Sequence, residues 1–284
     1  MNPHAFPEVW LTTLDAVKRH RGLNAENMPA DSRYTAAEID GLLTMCILDA
    51  SASIVGELAR LPLPYRMTAT YPGSRRRVLY IEDDLLEIET LLDADGTSIA
   101  PDEYSLFPNN FYPKFELWLY EGTARPFWWT LGATTQVITL TGTFGYVPHW
   151  TRAWKPSGQV VPAGGMSAGA ATLTLPSVAK FEIGAYGRID DEYVQVTGRD
   201  DTTKTLTLAR GVLGAPASAH AEGAALELFV QHADIQTKAT EWAAYLYKTL
   251  EQLGEEVKVF EGGVQFVKGL SPLIRRALRR HRRL

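Results

Sequence analysis

The chain has a single cysteine, Cys46, among 284 residues. One thiol excludes an internal disulfide and any zinc site built on cysteine pairs. Cys46 falls on the apolar stripe of a predicted helix, the setting of a core residue rather than a nucleophile. No run approaches the roughly 20 apolar residues of a membrane span. The opening MNPHAFPEVW has neither the basic head nor the apolar stretch of a signal peptide, so the protein is expected to stay where it is made. Also missing are the phosphate-binding GxxxxGKS or GxxxxGKT, the dinucleotide GxGxxG, the HExxH zinc motif, and any internal repeat of consequence. No cofactor and no metal are expected.

What is present is enough to fold. A hydrophobic share of 45%, with Leu, Val, Ile and Phe spread along the chain, marks a globular protein of one to three domains. The expected class is α+β: a helical core with an antiparallel sheet, an inserted small β-barrel or sandwich, and an extended basic C-terminal tail. Residues 1–34 form an N-terminal extension, with a short helix over 5–20. The core of 35–154 opens on the clearest helix. Thr35 and Glu38 have capping-box spacing, and Ile39, Leu42, Leu43, Cys46, Ile47, Ala50, Ile54, Leu58 and Leu61 trace one face up to the prolines of LPLP. Gly41, Ser51, Ser53 and Gly56 are small enough for close packing.

From Tyr65 the period changes to that of strands. YRMTATY, RRVLYIED, LLEIETLLD, EYSLF, FELWLY and QVITLTGTFGY are separated by turns such as DADG and PNN, the pattern of antiparallel hairpins. Residues 155–229 form the β insertion: a Pro-, Gly- and Ala-rich lead-in, then ATLTL, YGRID, EYVQVTG, TLTLA and ALELF. Residues 230–253 return to helix, with Ile235, Ala239, Trp242, Ala243, Leu246, Leu250 and Leu253 on one side. Residues 254–284 are an arm and a basic tail.

That tail is the strongest clue to function. Residues 271–284 read SPLIRRALRRHRRL and carry six arginines, while the whole chain has a formal charge of −5; without them the body stands at −11. Ser271 can cap a helix, Pro272 suits its first position, and Leu273, Ile274, Ala277 and Leu278 recur at spacings of three and four. An acidic body with an arginine-dense, partly apolar end is suited to pressing that end against a partner.

Other motifs carry less. Gly165, Ser167 and Gly169 match the GxSxG nucleophile elbow, with His220 or His232 downstream, but strand-like AATLTLPS follows where the elbow needs a helix. Asp93, Asp95 and Gly96 resemble the start of a calcium loop, yet Tyr104 stands where a bidentate Glu is required, so a hairpin turn is expected. His220, in a turn-rich stretch, is read as structural. Glu82, Asp83 and Asp84 form an acidic cluster read as a solvated surface or the lining of an assembly channel. Trp128, Trp129 and Phe127 suit core or a subunit interface better than base stacking.

Taken together, a helix ending near Arg60, then LLEIETLLDADGTSIAPDEYSLFPNN, QVITLTGTFGY, ARGVLGAPASAHAEGAAL, IQTKATEWAAYLYKTL and LSPLIRRALRRHRRL, resembles the head–tail adaptor (connector, head-completion) proteins of tailed bacteriophages. The likeness spans nearly the whole chain from Thr35. It implies a structural virion protein rather than an enzyme: a ring of about twelve copies beneath the portal protein, offering a platform to the next connector or tail terminator. Assembly would take place in the host cytoplasm, and genomic DNA would pass through the lumen without specific binding. By the resemblance, Leu273, Ile274, Leu278 and arginines Arg275, Arg276, Arg279, Arg280, Arg282 and Arg283 dock on the portal. An acidic body would repel the DNA, with Glu82, Asp83, Asp84, Glu87 and Glu89 as candidates to face the lumen. The alternative is a nucleic-acid-binding protein that uses the tail. Neutralising about six phosphates would give it a slope near −5 in log affinity against log salt.

Overall fold

The computed structural model describes residues 8–20, 35–122, 128, 136–254 and 270–282. The backbone separates into two compact units. The first is Leu61–Ala153 with Leu213–Ala215; the second combines Asn2–Arg60, Trp154–Val212 and Pro216–Leu284. The sequence grouped the Thr35 helix with the strands that follow it. The chain groups that helix instead with the second β block, so the uninterrupted stretch is the first sheet. The expected arm over residues 255–269, the extension over 21–34, and Phe127, Trp129 and Arg283 lie outside the described residues.

The first unit is a five-stranded antiparallel sheet. It contains β1 (Tyr65–Pro72), β2 (Val78–Leu92), β3 (Tyr104–Phe107), β4 (Lys114–Leu119) and β5 (Gln136–Phe144), in the order β1-β5-β2-β4-β3. RRVLYIED and LLEIETLLD, expected as separate strands, run together as β2, whose register against β4 shifts between Tyr80 and Leu85. That irregularity breaks the alternation and buries Asp83, Asp84, Leu85 and Leu86 in succession. Gly142 lets β5 approach β2 closely, because a Cβ there would lie 2.2 Å from the Glu87 carbonyl oxygen.

The second unit carries β6 (Trp154–Val160), β7 (Thr172–Thr174), β8 (Tyr186–Ile189), β9 (Glu192–Asp200), β10 (Thr205–Ala209) and β11 (Ala225–Phe229). They form one open sheet, β6-β11-β8-β9-β10-β7. Of the expected barrel or sandwich, the closed barrel is thereby corrected to an open sheet. Inside it Val161, Phe181, Ile189, Val196, Leu206 and Leu226 pack in one buried cluster. The lead-in KPSGQVV, which the sequence left without structure, is mostly β6. Its Ser157 hydroxyl donates to the Leu226 carbonyl at 2.7 Å and so holds the edge strand where its register shifts.

Among the described residues four α-helices complete this unit: α1 (Leu14–Lys18), α2 (Ala36–Leu58), α3 (Ala233–Gly254) and α4 (Pro272–Leu278). The capping box forms as expected at α2, with the Thr35 hydroxyl accepting from Glu38 N–H and the Glu38 carboxylate accepting from Thr35 N–H. Leu43, Cys46, Ile47, Ala50, Ile54 and Leu58 are buried, joined by Ser51 and Val55. Each large aliphatic among them contributes roughly 1.5–3 kcal/mol on burial. By length and composition α2 is apolar enough to cross a membrane, contrary to the sequence reading. Its buried face packs on α3, which presents Ile235, Ala239, Trp242, Ala243 and Tyr247. The small Ser51 accepts a hydrogen bond from Leu11 N–H at 3.0 Å, which is the close approach its size permits.

The first turn of α1 and the segment ahead of it tie the helices to the β block. Leu14 N–H donates to the Ile183 carbonyl, Ile183 N–H donates to Asp15 Oδ2, both at 2.9 Å, and Arg199 pairs with Asp15. Trp10 lies against Gly184, whose φ of +95° and missing Cβ leave room for the indole.

Candidate interaction site

The C-terminal helix forms where the sequence placed it. The Ser271 hydroxyl accepts from Ile274 N–H at 3.3 Å and Pro272 occupies the first turn. Leu270, Ile274, Leu278 and His281 recur at spacings of three and four and are buried. They face the chain's own α2 and α3. This corrects the docking assignment of Ile274 and Leu278: their apolar surface is spent inside the same subunit.

Three of the arginines are also engaged at home. Arg275 and Arg282 lie 3.6 and 3.9 Å from the two oxygens of Glu57, and Arg280 pairs with Asp234. Arg60 donates to the His281 carbonyl at 3.4 Å. Such exposed pairs contribute roughly 0–1 kcal/mol each, so they orient the helix more than they hold it. Leu273, 79% exposed, stands in solvent with Arg276 and Arg279 at successive spacings of three along the same side. An exposed leucine flanked by two arginines is the part of the tail open to a partner.

Beside this helix, His232 and Asp234 at the start of α3 meet His281. The two imidazoles sit 4.8 Å apart, centroid to centroid, at 67°. Burial, followed by the neighbouring His232 and Arg280, lowers the His281 pKa below the ordinary histidine range, although Asp234 opposes this.

The acidic cluster divides. Asp83 is buried and accepts from the Tyr71 hydroxyl at 3.1 Å; Asp84 is buried, and its carbonyl accepts from Gly145 N–H at 2.7 Å. Burial, and next the Asp83 charge, hold the Tyr71 phenol protonated far above its usual range. Asp83 and Asp84 are thus corrected from a solvated or lumen-facing surface to the sheet interior. Glu89 pairs with Arg66, while Glu82 and Glu87 are exposed.

A second surface was missed in the sequence. Val78, Trp118 and Ser105 are directly opposed across β2, β4 and β3, as are Tyr80, Glu116 and Phe107, which puts them on one face. Tyr80 (61%), Trp118 (43%) and Tyr120 (46%) are exposed there, with Phe107 5.5 Å from Trp118 between centroids. FELWLY carried the signal: Glu116, Trp118 and Tyr120 alternate with the buried Leu117 and Leu119, so an aromatic pair shares the outward face with a carboxylate. Large exposed aromatics on one face mark a contact surface.

The remaining candidates resolve into structure. Trp128 is buried, its indole N–H donating to the Arg77 carbonyl at 3.1 Å. The Asp93 to Gly96 segment closes a turn on itself: Asp93 Oδ1 accepts from Ala94 N–H and Asp95 Oδ1 from Thr97 N–H. Cys46 is buried, and burial followed by the Asp49 charge pushes its thiol up to about 11. Ser167 sits between β6 and β7 with no helix after it, and its carbonyl accepts from Arg210.

His220 does not serve Ser167. Its ring nitrogens lie 2.8 Å from Asp190 and 2.9 Å from Glu192. Glu192 has no exposed side-chain surface and also takes both forks of Arg210, at 2.6 and 2.7 Å, with Gly211 and Ser218 N–H groups. Burial alone would raise its pKa, but the Arg210 guanidinium, Ser218 N–H, His220 and Gly211 N–H bring it down to about 2. This network fastens the loop after β10 to β9; both Glu192 oxygens are occupied by the fold.

No protein-family model, curated protein or solved structure matches this chain.

Proposed function

We propose that this chain is a head–tail adaptor of a tailed bacteriophage, a structural and non-enzymatic ring subunit that docks on the portal protein and lets DNA pass. The observation that carries the reading is the division of α4: one side is spent on the subunit, while Leu273, Arg276 and Arg279 stay exposed on a chain whose body is acidic. A side that holds the helix and a side that offers a leucine with two guanidinium forks suit an attachment point for an acidic, grooved partner. Repeated around a ring of about twelve subunits, modest contacts act together and yield a nearly irreversible collar.

The exposed face of Tyr80, Trp118 and Tyr120 supports the ring itself, as the surface on which neighbouring subunits meet. Glu82 and Glu87 are the remaining candidates to repel DNA in the lumen. Electron microscopy of the purified chain mixed with its cognate portal ring tests the reading. A collar on one face of the portal is expected; bare portals at saturating subunit would refute it.

The nucleic-acid reading loses ground to the ion pairs. Arg275, Arg280 and Arg282 pair with Glu57 and Asp234, which leaves Arg276 and Arg279 as the exposed arginines outside these pairs among the described residues of the tail. Duplex binding through them gives a salt slope of about −2 rather than −5.

A further inference from the structure

His232, Asp234 and His281 bring three metal-competent atoms within 4.8 Å of one another, two at the start of α3 and one just past α4. We propose that they form a site for a divalent transition-metal ion of the zinc class, which pins the C-terminal helix to α3. The inference does not rest on the adaptor reading.

The geometry is near that of a bound ion. Asp234 Oδ2 lies 3.6 Å from His281 Nε2 and 3.9 Å from His232 Nδ1. Bonds of about 2.0 Å in a tetrahedral site put ligand atoms about 3.3 Å apart, so the two Asp234 pairs close by a few tenths of an ångström, and the two histidine nitrogens, within 4.8 Å of each other, close by up to about 1.5 Å through rotation of the partly exposed His232 ring. Two imidazoles and one carboxylate form the donor set that zinc accepts, with water completing the fourth position. His232 and Asp234 keep about a quarter and two fifths of their side-chain surface exposed, so an ion reaches the site from solvent, whereas His281 is buried behind them.

Arg280 is the internal competitor. Its Nη2 pairs with the same Asp234 oxygen and its Nε donates to His281 Nε2 at 3.1 Å. The Arg280 side chain is 62% exposed and can swing into water when an ion takes its place. The site is therefore a choice between a guanidinium bridge and a metal bridge, both closing α4 on α3. The ligands lie 232, 234 and 281 along the chain, a spacing no compact sequence motif reveals.

The test is isothermal titration of the full-length, tag-free chain with Zn2+, and optical titration with Co2+, whose visible bands report four-coordination. One ion per chain is expected, with affinity falling at least about 100-fold in Asp234→Asn and in His281→Ala. Arg280→Gln should bind several-fold more tightly, a gain that loss of folding cannot imitate. No binding by the unaltered chain, or binding unchanged in both ligand variants, overturns the proposal.

Discussion

The two sheets spend their side chains differently. In the six-stranded sheet most of the large apolar residues converge on one buried cluster, and even the polar Glu192, Arg210 and His220 are turned inward and bonded to one another. In the five-stranded sheet Leu79, Leu117, Leu119 and Leu140 are buried, but Tyr80, Trp118 and Tyr120 stand in solvent. A sheet that keeps its aromatics and most of its aliphatics inside is suited to hold a subunit together, and one that leaves aromatics out is suited to be completed by another molecule. The contrast yields expectations of very different size.

The largest concerns Glu192. Glu192→Ala strands the nearly buried Arg210 without its carboxylate and should cost about 3–5 kcal/mol. Urea unfolding followed by hydrogen exchange should place the loss in β8, β9 and β10, sparing β1 to β5. Equal loss of protection in both sheets would erase the distinction.

Acid attacks the same point. Glu192 has a folded pKa of about 2 against an ordinary 4.5. Its contribution is fully present above about pH 4.5 and is lost as pH falls through about 2, an effect of about 3 kcal/mol. Denaturant midpoints between pH 5 and 2 should therefore fall for the native chain and flatten in Glu192→Gln. A parallel decline in both would assign acid sensitivity to other groups.

The aromatic face should behave in the opposite way. Tyr80→Ala combined with Trp118→Ala should change the stability of the isolated chain by no more than about 1 kcal/mol, since neither side chain is deeply buried. Sedimentation should nevertheless show assembly weakened by at least about tenfold. A large stability loss with assembly intact would make the face a structural one.

The fold was readable where one period ran long enough. The α2 capping box and stripe, the α4 cap at Ser271 and most strands lie where the pattern puts them. The pattern misled where tertiary structure overrode it: the irregularity in β2 took Asp83 and Asp84 inside, although an Asp pair in an alternating stretch reads as surface. Unit membership was also hidden, because the bonds tying Leu14 and Asp15 to Ile183 cross long sequence separations. The tail was legible as a capped, arginine-rich helix, but not which side of it is exposed. Ile274 and Leu278 look identical to Leu273 until α2 and α3 are placed against them.

That last distinction also decides how to test the tail. Deleting residues 271–284 removes Ile274, Leu278 and His281 from the subunit interior and confuses folding with binding. The direct measurement is portal binding by the triple variant Leu273→Glu, Arg276→Glu and Arg279→Glu, compared with the unaltered chain by electron microscopy and titration on purified portal rings. The account predicts a folded subunit that still self-associates yet leaves the portal bare. A full collar on portals mixed with that variant would contradict it.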